Sequence, residues 1–153
     1  MADTLLLSDK SVGQRLIGVM AAAQAVQAAV AHAGAIAVPV NVAIVDPGGV
    51  LMAFLRMPGA PLHSVEIAID KAYTAASFGL ATSQWSAALA QHSAAVREGI
   101  VRRPRFVAFG GGLPIVEDGQ RIGGIGVSGA SEAQDEAIAQ AGLSAIGLLA
   151  VSA

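Results

Sequence analysis

An α+β fold, with an antiparallel sheet and helices packed on it, is predicted by two observations. The elements run in the order helix, two strands, two helices, three strands, helix, and hairpin connections dominate between the strands. A doubly wound parallel sheet needs crossover helices between successive strands, and this order does not provide them.

Each element has its own signal. Ser8 or Asp9 can cap a first helix running to about Ala33, with Leu16, Val19, Met20, Ala23, Val26 and Val30 as its buried stripe and Gly34 ending it. Residues 40–46 alternate as a strand, Pro47-Gly48-Gly49 turns, and residues 50–57 return as the second strand of a hairpin. Pro58-Gly59-Ala60-Pro61 breaks the chain, and Ser64 can cap a central helix ending near Gly79. In that helix Val65, Ile69, Ala72 and Ala76 form a narrow stripe able to press on a sheet. Glu66, Asp70 and Ser77, with Tyr73 and Thr74 between them, occupy another face. A short helix after Thr82 or Ser83 carries Trp85, Leu89 and His92.

Residues 97–105 hold four of the nine basic residues and read as a positive loop. Residues 106–109 read as a strand, Gly110-Gly111-Gly112 as a backbone-exposing loop, and residues 113–116 as another strand. Asp118-Gly119 then turns the chain into a strand over residues 121–127. Ser131 and Gln134 form a capping box for a last helix reaching about Leu149.

The 153 residues are most simply one domain. Only 13% are charged and 54% are hydrophobic, against roughly 25% charged in ordinary soluble domains, so a homo-oligomer that buries part of the exterior is expected. A net charge of -2 argues against nucleic acid as a partner. Without cysteine there is no disulfide, thiolate metal site or cysteine nucleophile. The uncharged run 16–45 is interrupted by Gln24, Gln27, His32, Pro39 and Asn41, which speaks against a membrane span. Asp3 and Asp9 make a poor start for a signal peptide, so the expected location is cytoplasmic.

Glu66 and Asp70 stand four residues apart, a mildly repulsive arrangement unless Lys71 or a ligand offsets it. Residues 124–129 match G-x-G-x-x-G, but no parallel strand and no suitably spaced acidic residue follow, so a nicotinamide site is not expected. The glycines leave two alternatives: anion binding by backbone N–H groups with the Ser128 hydroxyl, or close packing of a helix on a strand. No His/Asp/Glu set has the spacing of a metal site.

Val45-Asp46-x-Gly48-Gly49, Arg56-Met57-x-Gly59-Ala60-Pro61, the Asp-Lys-Ala-Tyr-Thr-Ala core at residues 70–75, Phe109-Gly110-Gly111-Gly112-x-Pro114 and Ile125-Gly126-Val127-Ser128-Gly129 occur in that order. Together they resemble the GlcG/HbpS family of haem-degrading domain proteins, which includes the C-terminal domain of PduO-type proteins. The match covers about residues 38–142. The resemblance implies a profilin-like α/β/α fold with a five-stranded antiparallel sheet and helices on both faces. It also implies dimers to octamers, bacterial catabolic operons, and haem binding in some members. Pro47 and Pro58 depart from the family pattern.

Three readings follow. In the first, the protein binds haem or a small ligand, with His63 as the candidate axial ligand and Arg102, Arg103 or Arg105 receiving carboxylates such as haem propionates. His32 and His92 are expected at helix surfaces or interfaces. Tyr73, Gly110, Gly111, Gly112 and Ser128 complete the candidate ligand-binding set. In the second reading, a small-molecule enzyme uses Glu66 or Asp70 as acid/base and Lys71 as an electrostatic or amine group, with the backbone of residues 110–112 as a cradle. In the third, the protein is an oligomeric scaffold.

Overall fold

The computed structural model describes residues 9–149. The elements are α1 (Val19–Ala35), β1 (Asn41–Val45), β2 (Leu51–Arg56), α2 (Ser64–Phe78), a 3-10 turn (Thr82–Gln84), α3 (Trp85–Leu89), α4 (Ala94–Ile100), β3 (Gly112–Glu117), β4 (Gln120–Ser128) and α5 (Glu132–Ala145). The strands form one sheet in the order β2-β1-β4-β3, with every neighbouring pair antiparallel.

β1 is central and buried throughout, and its alternating side chains serve two cores. Val42 and Ile44 join the larger core with α1 and α5, including Ala25, Val26, Ala29, Ile138 and Leu143. Ala43 and Val45 point to the other face, where Ala68, Ala72 and Ala76 of α2 meet them. Helices thus cover both faces of the sheet. Both hairpins turn as their residues dictate: Asp118 and Gly119 have φ of 51° and 76°, the double positive φ of a type I′ turn. At the other hairpin, Asp46 Oδ1 accepts from the amides of Gly48 and Val50 at 2.8 and 3.1 Å.

In α2, His63 and not Ser64 holds the N-cap position, and Val65 and Ile69 are only half-buried. The short helix α3 ends at Leu89, short of His92. Besides these differences, the structure corrects the sequence reading in four places. Four strands are present among the described residues, not five, because residues 106–109 do not join the sheet. Their backbone is taken up by α2 instead: the Val107 N–H donates to Thr74 Oγ1 at 3.1 Å. The first helix starts at Val19 and not near Asp9, and Ser8 lies outside the described residues. Ile17 is buried and its N–H donates to the Ile122 carbonyl at 2.9 Å, which ties the preceding chain to β4, and Gly18 in extended conformation serves as N-cap. The buried stripe of α1 consists of Ala22, Ala25, Val26, Ala29 and Ala33, leaving Leu16, Val19 and Met20 exposed, Met20 at 77%. Small residues face inward here because α1 packs closely on α5: a Cβ at Gly142 would press on the Ala25 carbonyl at 2.8 Å.

The third correction concerns residues 97–105. Ser93 Oγ accepts from the Val96 N–H and starts α4, so Arg97 is helical and only the following arginines lie in a turn. The last is the end of α5, which stops at Ala145 rather than near Leu149. No helix among the described residues is long and apolar enough to cross a membrane.

Candidate functional site

α2 directs its polar residues to two separate places. It begins after the break at residues 58–61 and ends at Gly79, which adopts φ 68° and donates its N–H to the Ala75 carbonyl. Ala68, Ala72 and Ala76 sit directly on glycines of β4. A Cβ at Gly126 would collide with the Ala68 carbonyl, and one at Gly124 with the Ala72 carbonyl. Two of the glycines in the G-x-G-x-x-G stretch therefore serve close helix-on-strand packing.

That close approach carries Lys71 into the interior. Its side chain is 1% exposed and that of Asp135 is 3% exposed, and their charged atoms lie 3.0 Å apart. Lys71 Nζ also donates to the Val127 carbonyl at 2.8 Å and stands 5.1 Å from the centroid of the Phe109 ring. Asp135 Oδ1 accepts from the Ala130 N–H at 3.0 Å, and the Gly129 amide also serves this carboxylate. Burial lowers the pKa of Lys71 against the opposing pull of Asp135 and Glu132. Burial likewise raises the pKa of Asp135 against the opposing effects of Lys71 and the two amides. The glycine-lined end of β4 thus receives an internal carboxylate, and the ammonium opposite it donates to two protein oxygens.

The outer face of α2 carries His63, Glu66, Asp70 and Tyr73. His63, at the N-cap, is exposed, and its imidazole makes no hydrogen bond or ion pair with the described residues. It opens on a cleft of about 310 Å³ shared with Leu62, Val65 and Glu66. Glu66 continues into a second cleft of about 270 Å³ lined with Ile69, Asp70 and Arg105. Arg105 Nε donates to Asp70 Oδ1 at 3.0 Å, and its guanidinium stacks 3.6 Å above the centroid of Tyr73. Arg105, rather than Lys71, offsets the carboxylate pair. It does so from φ 65°, a conformation uncommon outside glycine, held by the hydrogen bond that Thr74 Oγ1 donates to its carbonyl at 2.9 Å.

The remaining candidates are dispersed. The amide of Gly110 donates to Glu132 Oε1 at 2.8 Å and that of Gly112 to Thr82 Oγ1 at 2.8 Å. Gly111 accepts from the Val127 N–H. These residues are buried, so two of the three amides of the loop are engaged by protein oxygens. Ser128 is buried at the end of β4, and Arg103 lines a different recess from His63. Sequence reasoning did not select Asp135, Glu132 or Thr82. Asp135 lies four residues after the Ser131 cap and reads there as first-turn acid, with no local sign of a partner 64 positions earlier. No group of three or more His, Asp or Glu residues able to hold a metal ion occurs among the described residues.

Comparison with known proteins agrees with this architecture. A family model described as haem degrading protein HbpS-like matches residues 17–144. The uncharacterised 15.0 kDa protein of the dhaT-dhaS intergenic region of Citrobacter freundii is 36% identical over 135 residues, which cover 88% of this chain and 95% of that protein. The corrinoid adenosyltransferase PduO of Salmonella typhimurium is 41% identical over 123 residues, 80% of this chain but 37% of PduO, so the chain spans little more than a third of that relative. The crystal structure of a PduOC:heme complex superimposes with a TM-score of 0.81 at 36% identity, covering 90% of this chain and 99% of the other. The chain belongs to the HbpS-like haem degrading protein family.

Proposed function

We propose that this chain is a haem-binding accessory protein of a bacterial catabolic pathway, and that His63 on the outer face of α2 ligates the haem iron. The observation that carries this reading is the unengaged imidazole of His63 at a cleft of about 310 Å³. Support also comes from a family member solved as a heme complex and from the likeness to part of a corrinoid adenosyltransferase.

The residues present suit the group. A neutral imidazole is a common haem ligand. Leu62, 77% exposed, and the half-buried Val65 offer apolar surface beside it. Asp70 lies seven residues along the helix from His63, about 10 Å at 1.5 Å per residue, and brings Arg105 with it. Arg105 would receive a carboxylate with the guanidinium edge that Asp70 leaves open. Bound haem would supply redox-active iron; the chain supplies the ligand, an apolar wall and a cation.

An acid/base enzyme built on Glu66, Asp70 and Lys71 has less support, because Lys71 faces the interior, away from the other two. We further propose a cytoplasmic homo-oligomer, from dimer to octamer; the exposed Leu16, Val19 and Met20 support the assembly.

Titration of the purified protein with haem, followed by absorbance, tests the main proposal. A saturable Soret shift is expected in the wild type, with affinity about tenfold or more weaker in His63→Ala, equivalent to about 1.4 kcal/mol or more. A wild type without a saturable shift, or a variant with unchanged affinity, would overturn it.

A further inference from the structure

We infer that the recess between α2 and the arginine-rich turn after α4 is a binding site for a short aliphatic monocarboxylate. Phe78, Ile100, Pro104 and Phe106 give it apolar walls, and the exposed Arg103 and Arg105 also line it. It shares no residue with the cleft at His63. Arg105, which the haem reading gives to a carboxylate, borders both this recess and the adjoining cleft at Glu66 and Asp70, and the role of Arg103 does not rest on that reading.

Three features make the recess more than a dent between loop and helix. It is held open by a fixed turn: Thr74 Oγ1 donates to the Arg105 carbonyl and accepts from the Val107 N–H, clipping both sides of residue 106 to α2. Its charge is unbalanced. Arg105 is answered by Asp70 at 3.0 Å, whereas the Arg103 guanidinium has no hydrogen-bond or ion-pair partner among the described residues. An unanswered cation beside apolar walls selects an anion with an apolar body, because each part then meets its complement. Finally, the recess is small. Its volume of about 110 Å³ is little over a third of that of the cleft at His63, which suits a short alkyl group with its carboxylate towards Arg103. Inorganic phosphate would leave the apolar walls unfilled.

The protein carries its own reporter. Trp85 is the only tryptophan in the sequence, and its ring lies 4.8 Å, edge to face, from both Phe78 and Phe106. A ligand that moves either phenylalanine alters the surroundings of the indole. Titration of the full chain with sodium butyrate at constant ionic strength, followed by tryptophan fluorescence, is expected to give a saturable change. Butan-1-ol and butylamine are expected to give none at the same concentrations. Arg103→Ala should weaken butyrate binding about tenfold or more, Arg103→Lys should restore part of it, and His63→Ala should leave it unchanged. No saturable response to butyrate, an equal response to butan-1-ol, or wild-type affinity in Arg103→Ala would overturn the assignment.

Discussion

Lys71 and Asp135 neutralise each other inside the protein, and removing either leaves an uncompensated polar group between α2, β4 and α5. Breaking a buried pair on one side costs about 3–5 kcal/mol. Lys71→Ala is therefore expected to lower the urea stability by that amount, and Lys71→Met with Asp135→Leu to lose less than Lys71→Ala alone. A loss under ~1 kcal/mol in Lys71→Ala would contradict the buried pairing. The pH dependence has a defined sign. Burial holds the folded pKa of Lys71 below its ordinary 10.5. Below the folded value the amine is charged in both states. Between that value and 10.5 the unfolded chain keeps a proton that the folded chain has released, so the contribution of this group to stability rises with pH across the window. Urea midpoints up to pH 10.5 should carry this upward component in the wild type and lack it in Lys71→Met; parallel profiles would contradict it. In the sequence, Lys71 reads as the neighbour of Asp70. Its actual partner is visible only once α2 and α5 meet, because a helix places adjacent residues about 100° apart and sends Asp70 and Lys71 to different surroundings.

At the scale of elements, the contact between α2 and β4 depends on the absence of side chains. Gly126→Ala would drive a methyl group into the Ala68 carbonyl, where backbone on both sides resists movement. It is expected to cost at least the ~1–3 kcal/mol of an overpacked core. Gly99, in the exposed helix α4, would present a methyl group to open space, with nothing within 4 Å. Gly99→Ala is therefore expected to stabilise by up to about 1 kcal/mol through helix propensity. Thermal denaturation of both variants checks the pair, and a neutral Gly126→Ala would contradict the packing. The hairpins, the Gly79 stop and the Ser131 capping box were legible in the sequence because each depends on residues within a few positions of one another. The supposed strand at residues 106–109 was not, because Thr74, more than 30 residues earlier, competes for its backbone groups. Nor was the inward face of α1, since an alanine-rich helix offers several apolar stripes and α5 selects the smallest.

For the whole molecule, the low charge content and the exposed start of α1 belong together. Val19 and Met20 extend apolar surface into solvent beside Leu16. Sedimentation velocity is expected to show an assembly larger than one chain, and Val19→Glu with Met20→Glu to shift it towards smaller species. A wild-type monomer would contradict this reading. The low charge was plain from composition, whereas the surface that remains exposed was not, because α1 turns a different stripe inward from the one its largest side chains suggest. The family was legible because its motifs stand in order along the chain, whereas the meeting of Arg105 with Asp70, 35 positions apart, was not. The most direct measurement of the proposed ligand role is imidazole rescue, read as the absorption spectrum of His63→Ala mixed with ferric haem, before and after free imidazole is added. If His63 ligates the iron, the variant lacks the wild-type Soret band and imidazole restores it. A variant whose spectrum already equals that of the wild type would contradict the assignment.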